Sequence, residues 1–193
     1  MTIRNGIIVL IAAGMFCSLG VSEFPVQSGG VEGNYSGPTD LIPLMLFLSL
    51  ALGVSFLCSV LEAVLLSVGP GQVQIMIDEG KKSGLILKKL RSNLDRSLSA
   101  ILTLNTVAHT AGAAGVGAEV ARVFGNTYLA LASIVLTLLV LILSEIIPKT
   151  LGARNAKALA GKSALLINWL TLLLLPIVLV LQGVSYLLFG KNN

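Results

Sequence analysis

Leu138-Leu-Val-Leu-Ile-Leu-Ser-Glu-Ile-Ile-Pro-Lys-Thr-Leu-Gly-Ala-Arg154 runs from an unbroken apolar pattern into a carboxylate, a proline and two cations. An acid at the edge of a hydrocarbon-length run is costly, and intramembrane acids are functional by default. Pro148 has no N–H to donate, so it releases a carbonyl one turn back, at or near Leu143 and Ser144. Side-chain and backbone oxygens together are the ligands that hard cations such as Mg2+ or Ca2+ take. The stretch therefore reads as a cation site at a helix break inside a membrane. A plainer reading stands beside it, in which Glu145 sits at the membrane interface between Lys149 and water.

Composition fixes the class. Of 193 residues, 55% are hydrophobic and only 11% charged, and the mean hydropathy is +0.92. Such a chain is an all-α integral membrane protein, embedded in the lipid bilayer. Lys81, Lys82, Lys88, Lys89, Arg91 and Arg96 fall in one loop, and Lys149, Arg154, Lys157 and Lys162 in another. The positive-inside rule makes both segments cytoplasmic, in a multi-pass cell-membrane protein whose C-terminus is also inside. These basic residues flank apolar spans and have no interleaved aromatic platform, which argues against a nucleic-acid partner. Cys17 and Cys58 lie within apolar segments and form no CxxC or Cys/His cluster, so no disulfide framework or zinc site is implied.

Outward from the opening stretch, the chain divides at its breakers. Residues 1–20 read as a signal peptide or an N-terminal anchor helix, and residues 21–40 as an external linker rich in glycine. The first full span begins at Leu41 and closes at Gly69-Pro-Gly71. Ser55, Ser59 and Glu62 share one face of it, and that face needs a polar partner or a water-filled cavity. The loop 69–96 predicts short amphipathic helices on the inner membrane surface, serving orientation and lipid contact. The span after it carries overlapping small residues, Ala108 with Gly112 and Ala111 with Gly115, and is expected to pack closely against other helices or a second subunit. On its face Asn105 and His109 are one turn apart. A single histidine cannot by itself make a transition-metal site, so His109 reads as a hydrogen-bonded interior residue, whereas Asn105 offers an amide oxygen to a neighbouring helix or a cation. Glu119 and Arg122 read as an interfacial ion pair.

Counted from the inner ends of their spans, Ser59, Asn105 and Glu145 fall at one depth. Unrelated polar residues would not be expected to share a layer, which favours the cation site over the plainer reading. The three-span domain then covers 41–163. Residues 164–193 are apolar but interrupted by Asn168, Pro176 and Gln182, and Pro176 would leave halves too short to cross. A kinked juxtamembrane belt and a fourth span both remain open on this pattern.

Ser144-Glu-Ile-Ile-Pro-Lys-Thr-Leu-Gly152, with Leu104-Asn-Thr-Val-Ala-His-Thr110 and Cys58-Ser-Val-Leu-Glu-Ala63, resembles the transmembrane domain of the CorC and cyclin M (CNNM) family of magnesium transporters. The resemblance implies a homodimer of three-span subunits with a juxtamembrane helical belt. It also implies Mg2+ transport, coupled to Na+ in some members, through a cytoplasm-facing site. It maps the cation ligands onto Ser59, Asn105 and Glu145, with carbonyls near Pro148 completing the shell. Glu62 is offered as a coupling-ion residue. In the first span the family motif Phe-Ser-Gly-Ser-Glu is here Cys58-Ser-Val-Leu-Glu62, without the second serine. Most members continue into cytosolic CBS and CorC-type regulatory domains, which these 193 residues do not contain. The competing expectation is a non-transporting membrane scaffold or accessory protein, in which the polar layer only joins helices. No nucleophile and base stand at an enzymatic spacing, so an enzyme is not expected.

Overall fold

The computed structural model describes residues 33, 37–180 and 183. The expected signal or anchor at 1–20, most of the linker after it, and the far end of the belt with Gln182 lie outside those residues. The described residues are helical and contain no strand.

A 3-10 turn, Pro38–Leu41, leads into α1, Ile42–Ser67, which stops where Val68 turns extended and Gly69-Pro70 begin the next helix. Proline at a first helical position loses no intrahelical bond. There follow α2, Pro70–Asp78, and α3, Lys82–Ser92, joined through Gly80 at φ 72°, a left-handed conformation that favours glycine. Helix α4, Leu94–Phe124, is 31 residues long and ends at Gly125, with φ 85°. A 3-10 turn, Asn126–Tyr128, opens α5, Leu129–Leu139. The chain then widens into a π-helical turn, Val140–Ile146, and returns to α-geometry in α6, Ile147–Arg154. Last comes α7, Ala156–Leu173, with a break at Leu174 and helix again at 175–180.

Among the described residues, two continuous stretches are long and apolar enough to cross a membrane, Pro38–Ser67 and Asn126–Arg154. At roughly 1.5 Å per residue each exceeds a hydrocarbon core of about 30 Å. Helix α4 has the length, but Asp95, Arg96, Glu119 and Arg122 near its ends make it less apolar than these two.

Helices α1 and α4 run antiparallel, which their contacts fix in register. A Cβ on Gly112 would collide with Ala51, one on Gly115 would meet the Phe47 ring, and Ser55 meets His109 one turn further on. The expected close approach by small residues is thus observed, although Ala111, Ala113, Ala114 and Ala118 face outward. At one end the small core is Leu44, Val116 and Val120. There Arg122 joins Glu119 (2.8 Å) and the Asp40 carbonyl (3.0 Å), so the expected pair also staples α4 to the start of α1.

The larger core lies at the opposite, basic end. Leu65, Leu87, Ile101, Ala160 and Ile167 are fully buried there, contributed by α1, α3, α4 and α7. Helices α2 and α3 are the expected amphipathic helices, but Val73, Met76, Leu87 and Leu90 are buried in this core instead of facing lipid. Arg91 of α3 donates to the Leu65 carbonyl at 3.1 Å and to that of Val68, satisfying acceptors that the end of α1 leaves open. The basic stretch before residue 164 is not a linker either. Lys157 and Lys162 belong to α7, whose Ala156, Ala160, Ala164 and Ile167 form one buried stripe, so the expected boundary at 164 falls inside a helix. The interruption comes at Leu174, two residues before Pro176, which has no N–H to give the Leu172 carbonyl four residues back.

Candidate cation site

The site is built on the π turn. There the Ile147 N–H bonds the Ile142 carbonyl, five residues back, in place of the α partner four back. Pro148 follows at once, and its missing N–H would have gone to Ser144 in α register or Leu143 in π register. Neither carbonyl can receive that bond. The expected break is therefore present as an inserted residue, a form concentrated at functional sites. The turn is held in place: Ser144 is fully buried and donates to the Val140 carbonyl at 2.7 Å, and Pro148 is buried. A Cβ on Gly152 would stand 2.9 Å from the Val60 carbonyl oxygen of α1. Ser144, Pro148 and Gly152 thus press one face of the break onto α1.

Glu145 is half-buried on this turn, and its Oε1 lies 3.4 Å from His109 Nε2 of α4. That nitrogen lies 3.0 Å from Ser55 Oγ of α1. One side chain from each of three elements meets here. The histidine was expected to be hydrogen-bonded in the interior, as it is, but its position between Ser55 and the carboxylate was not read from the sequence. The usable signal was there, since Ser55 shares the α1 face that required a polar partner and His109 shares the face of Asn105.

Ser59 and Asn105 are each one turn from this meeting, toward the basic end, and the antiparallel register sets them opposite each other. Ser59 Oγ and Asn105 Oδ1 are both buried, and neither has a hydrogen-bond partner. Orphaned buried oxygens are rare and call for an explanation. Pro148 lies on the same side of Glu145, three residues on. Glu62 is elsewhere occupied: Lys149 Nζ pairs with its Oε2 at 3.2 Å. The plainer reading, with Lys149 neutralising Glu145, therefore loses its partner. Among the described residues no three His, Cys, Asp or Glu side chains cluster as a metal site, so a cation beside the orphaned oxygens would rest on one carboxylate and neutral oxygens. That donor set suits a hard ion that keeps some of its water.

Apolar helices, polar side chains between them and a proline-linked break define a membrane domain. Residues 45–193 match the model of the cyclin M transmembrane N-terminal domain, and the chain belongs to this family. It is 31% identical over 131 residues to a UPF0053 protein of Synechocystis, covering 68% of this chain and 38% of that one. Over 145 residues it is 32% identical to a chloroplastic DUF21 domain-containing protein of Arabidopsis thaliana, covering 75% of this chain and 22% of the other. With the UPF0053 inner membrane protein YfjD of Escherichia coli it shares 29% over 128 residues, 66% of this chain and 30% of that protein. The chain thus spans well under half the length of these relatives.

Proposed function

We propose that this chain is the membrane domain of a divalent-cation transporter with Mg2+ as its cargo. The observation that carries the reading is the pair of orphaned buried oxygens, Ser59 Oγ and Asn105 Oδ1, one turn from the carboxylate of a π-helical break. In this reading Glu145 supplies the charge, Ser59 and Asn105 supply neutral oxygens, and the Leu143 and Ser144 carbonyls that Pro148 cannot serve complete a partial shell with retained waters. Helix α4 is the third span, its end charges at the two interfaces, and the basic end faces the cytoplasm. The bare face of α5 meets a second copy in a homodimer. Glu62 is held by Lys149, so no coupling-ion role for Na+ is assigned to it.

The test is ion flux in lipid vesicles carrying the purified chain and an internal Mg2+-sensitive dye. Wild type is expected to admit Mg2+ above protein-free vesicles, and Glu145→Gln and Asn105→Ala to fall to the protein-free rate. If all three proteins match protein-free vesicles while remaining folded, the scaffold reading replaces this one, because a layer that only joins helices moves no ion.

A further inference from the structure

The site just described uses oxygens alone, which leaves its one nitrogen without a task. His109 is the only histidine of the chain. Its Nε2 stands 3.0 Å from Ser55 Oγ and 3.4 Å from Glu145 Oε1. The first separation is an ordinary hydrogen bond, which the ring gives up when its Nε2 lone pair binds an ion. The second lies beyond the range of about 2.7–3.2 Å in which an N–H donates well to oxygen. It is, however, the separation of two ligands on one ion. Donors bound at about 2.1 Å stand roughly 3.0 Å apart when cis on an octahedral ion and roughly 3.4 Å apart on a tetrahedral one.

A cavity of about 250 Å³ opens beside this pair, between α4 and the α5 to π segment. Its remaining walls are Ala51, Ala113, Leu136, Thr137 and Val140. Thr137 donates its hydroxyl to the Ser133 carbonyl at 2.8 Å and offers only a neutral oxygen, so His109 and Glu145 supply the wall's one nitrogen and its one charge.

We propose that His109 Nε2 is a direct ligand that biases this site toward nitrogen-preferring divalent cations, of which Co2+ is the probe, over Mg2+. The inference rests on the Glu145 reading above and adds to it the determinant of selectivity. Imidazole nitrogen is a good ligand for the later first-row ions, whereas Mg2+ prefers oxygen and holds its water. With Ser59 and Asn105 one turn away, the site offers the two ions a common carboxylate and different neutral partners. Mg2+ sits toward the orphaned oxygens, and Co2+ sits toward the imidazole.

The experiment measures the thermal midpoint of the tag-free, detergent-purified chain against CoCl2 and MgCl2, for wild type, His109→Gln and Glu145→Gln. Wild type is expected to reach half its full shift at a Co2+ concentration on the order of tenfold below that for Mg2+. His109→Gln is expected to raise the Co2+ concentration about tenfold while moving that for Mg2+ by less than about threefold. Equal losses for both ions in His109→Gln would show that the ring only positions Glu145, and would overturn the inference. No change for either ion would overturn it as well. Glu145→Gln, flat for both ions, keeps the underlying site; a wild type that responds equally to the two ions removes only the histidine's part. A wild type that responds to neither removes the site and this inference with it. Should His109→Gln fail to fold, proton NMR of the Co2+-loaded wild type decides. A strongly shifted, exchangeable imidazole resonance can come only from His109, and its absence under saturating Co2+ refutes coordination.

Discussion

The two apolar spans are nearly equal in length, 30 and 29 residues, yet within an 18-residue apolar window of each, 33% of the first is buried and only 6% of the second. Span Pro38–Ser67 is a packing element. Its buried positions Ala51, Ser55, Cys58, Leu61 and Leu65 face α4, α7 and the break. Span Asn126–Arg154 has no buried residue in α5, where Leu129, Ala132 and Leu136 pack only in part against the small core, and it is buried at Ser144, Pro148 and Gly152. Hydropathy does not distinguish them, because lipid accepts either surface and helix association in a membrane is driven by packing, not by apolarity. The difference teaches where the molecule is fixed. The second span is anchored at the turns that carry Glu145 and left open elsewhere.

Core truncations should expose this contrast most strongly. Leu65→Ala, at a side chain with no exposure, is expected to cost about 2–5 kcal/mol, by cavity formation in the basic-end core. In α5, Leu131→Ala and Ile134→Ala, at residues 58% and 61% exposed in the single chain, should each cost less than about 0.5 kcal/mol where dilution in detergent keeps the chain monomeric. Chemical unfolding in mixed micelles reads both. A comparable loss in α5 would show that another copy of the chain covers that face in solution, which would sharpen the comparison instead of breaking it. Gly112→Val tests the close approach of α4 to Ala51, with an expected loss of about 1–3 kcal/mol from overpacking. An unchanged midpoint would mean that α1 and α4 can separate freely there.

Healing the break should act in the opposite sense. Pro148→Ala restores a backbone donor and removes the ring that favours the π turn, so the helix is expected to gain about 1 kcal/mol or more while the response to cation weakens. A small effect is expected for Lys149→Gln. It removes the partner of a partly exposed Glu62 and should cost about 1 kcal/mol or less, without altering any dependence on divalent cation.

These residues also show what was legible in the sequence. Apolar run lengths gave the α1 and α5 to α6 spans, and a carboxylate three residues before a proline gave the break. The inserted residue was not legible, since losing one donor can bend a helix, open it or widen it. That insertion has a consequence for Lys149. Four residues from Glu145, it would lie over that carboxylate on a regular helix, but the extra residue rotates the following turn and Lys149 reaches Glu62 on α1 instead. The faces of Ser55 with Ser59 and of Asn105 with His109 followed from helical spacing. Their meeting needed the register between α1 and α4, which Gly112 and Ala51 set by contact and which no single-helix pattern contains. The helix through Lys157 and Lys162 was hidden because its cations mask an alanine stripe that is buried only once α3 is in place.

The most direct measurement is the thermal midpoint of the detergent-purified chain against MgCl2 at fixed NaCl, for wild type and Glu145→Gln. A bound ion stabilises the folded state by mass action, about 2.7 kcal/mol at a hundredfold excess over its dissociation constant. A wild-type midpoint that climbs with MgCl2 and a flat Glu145→Gln response are the predicted result. Flat responses in both proteins, or equal climbs in both, would contradict a cation site at the helix break.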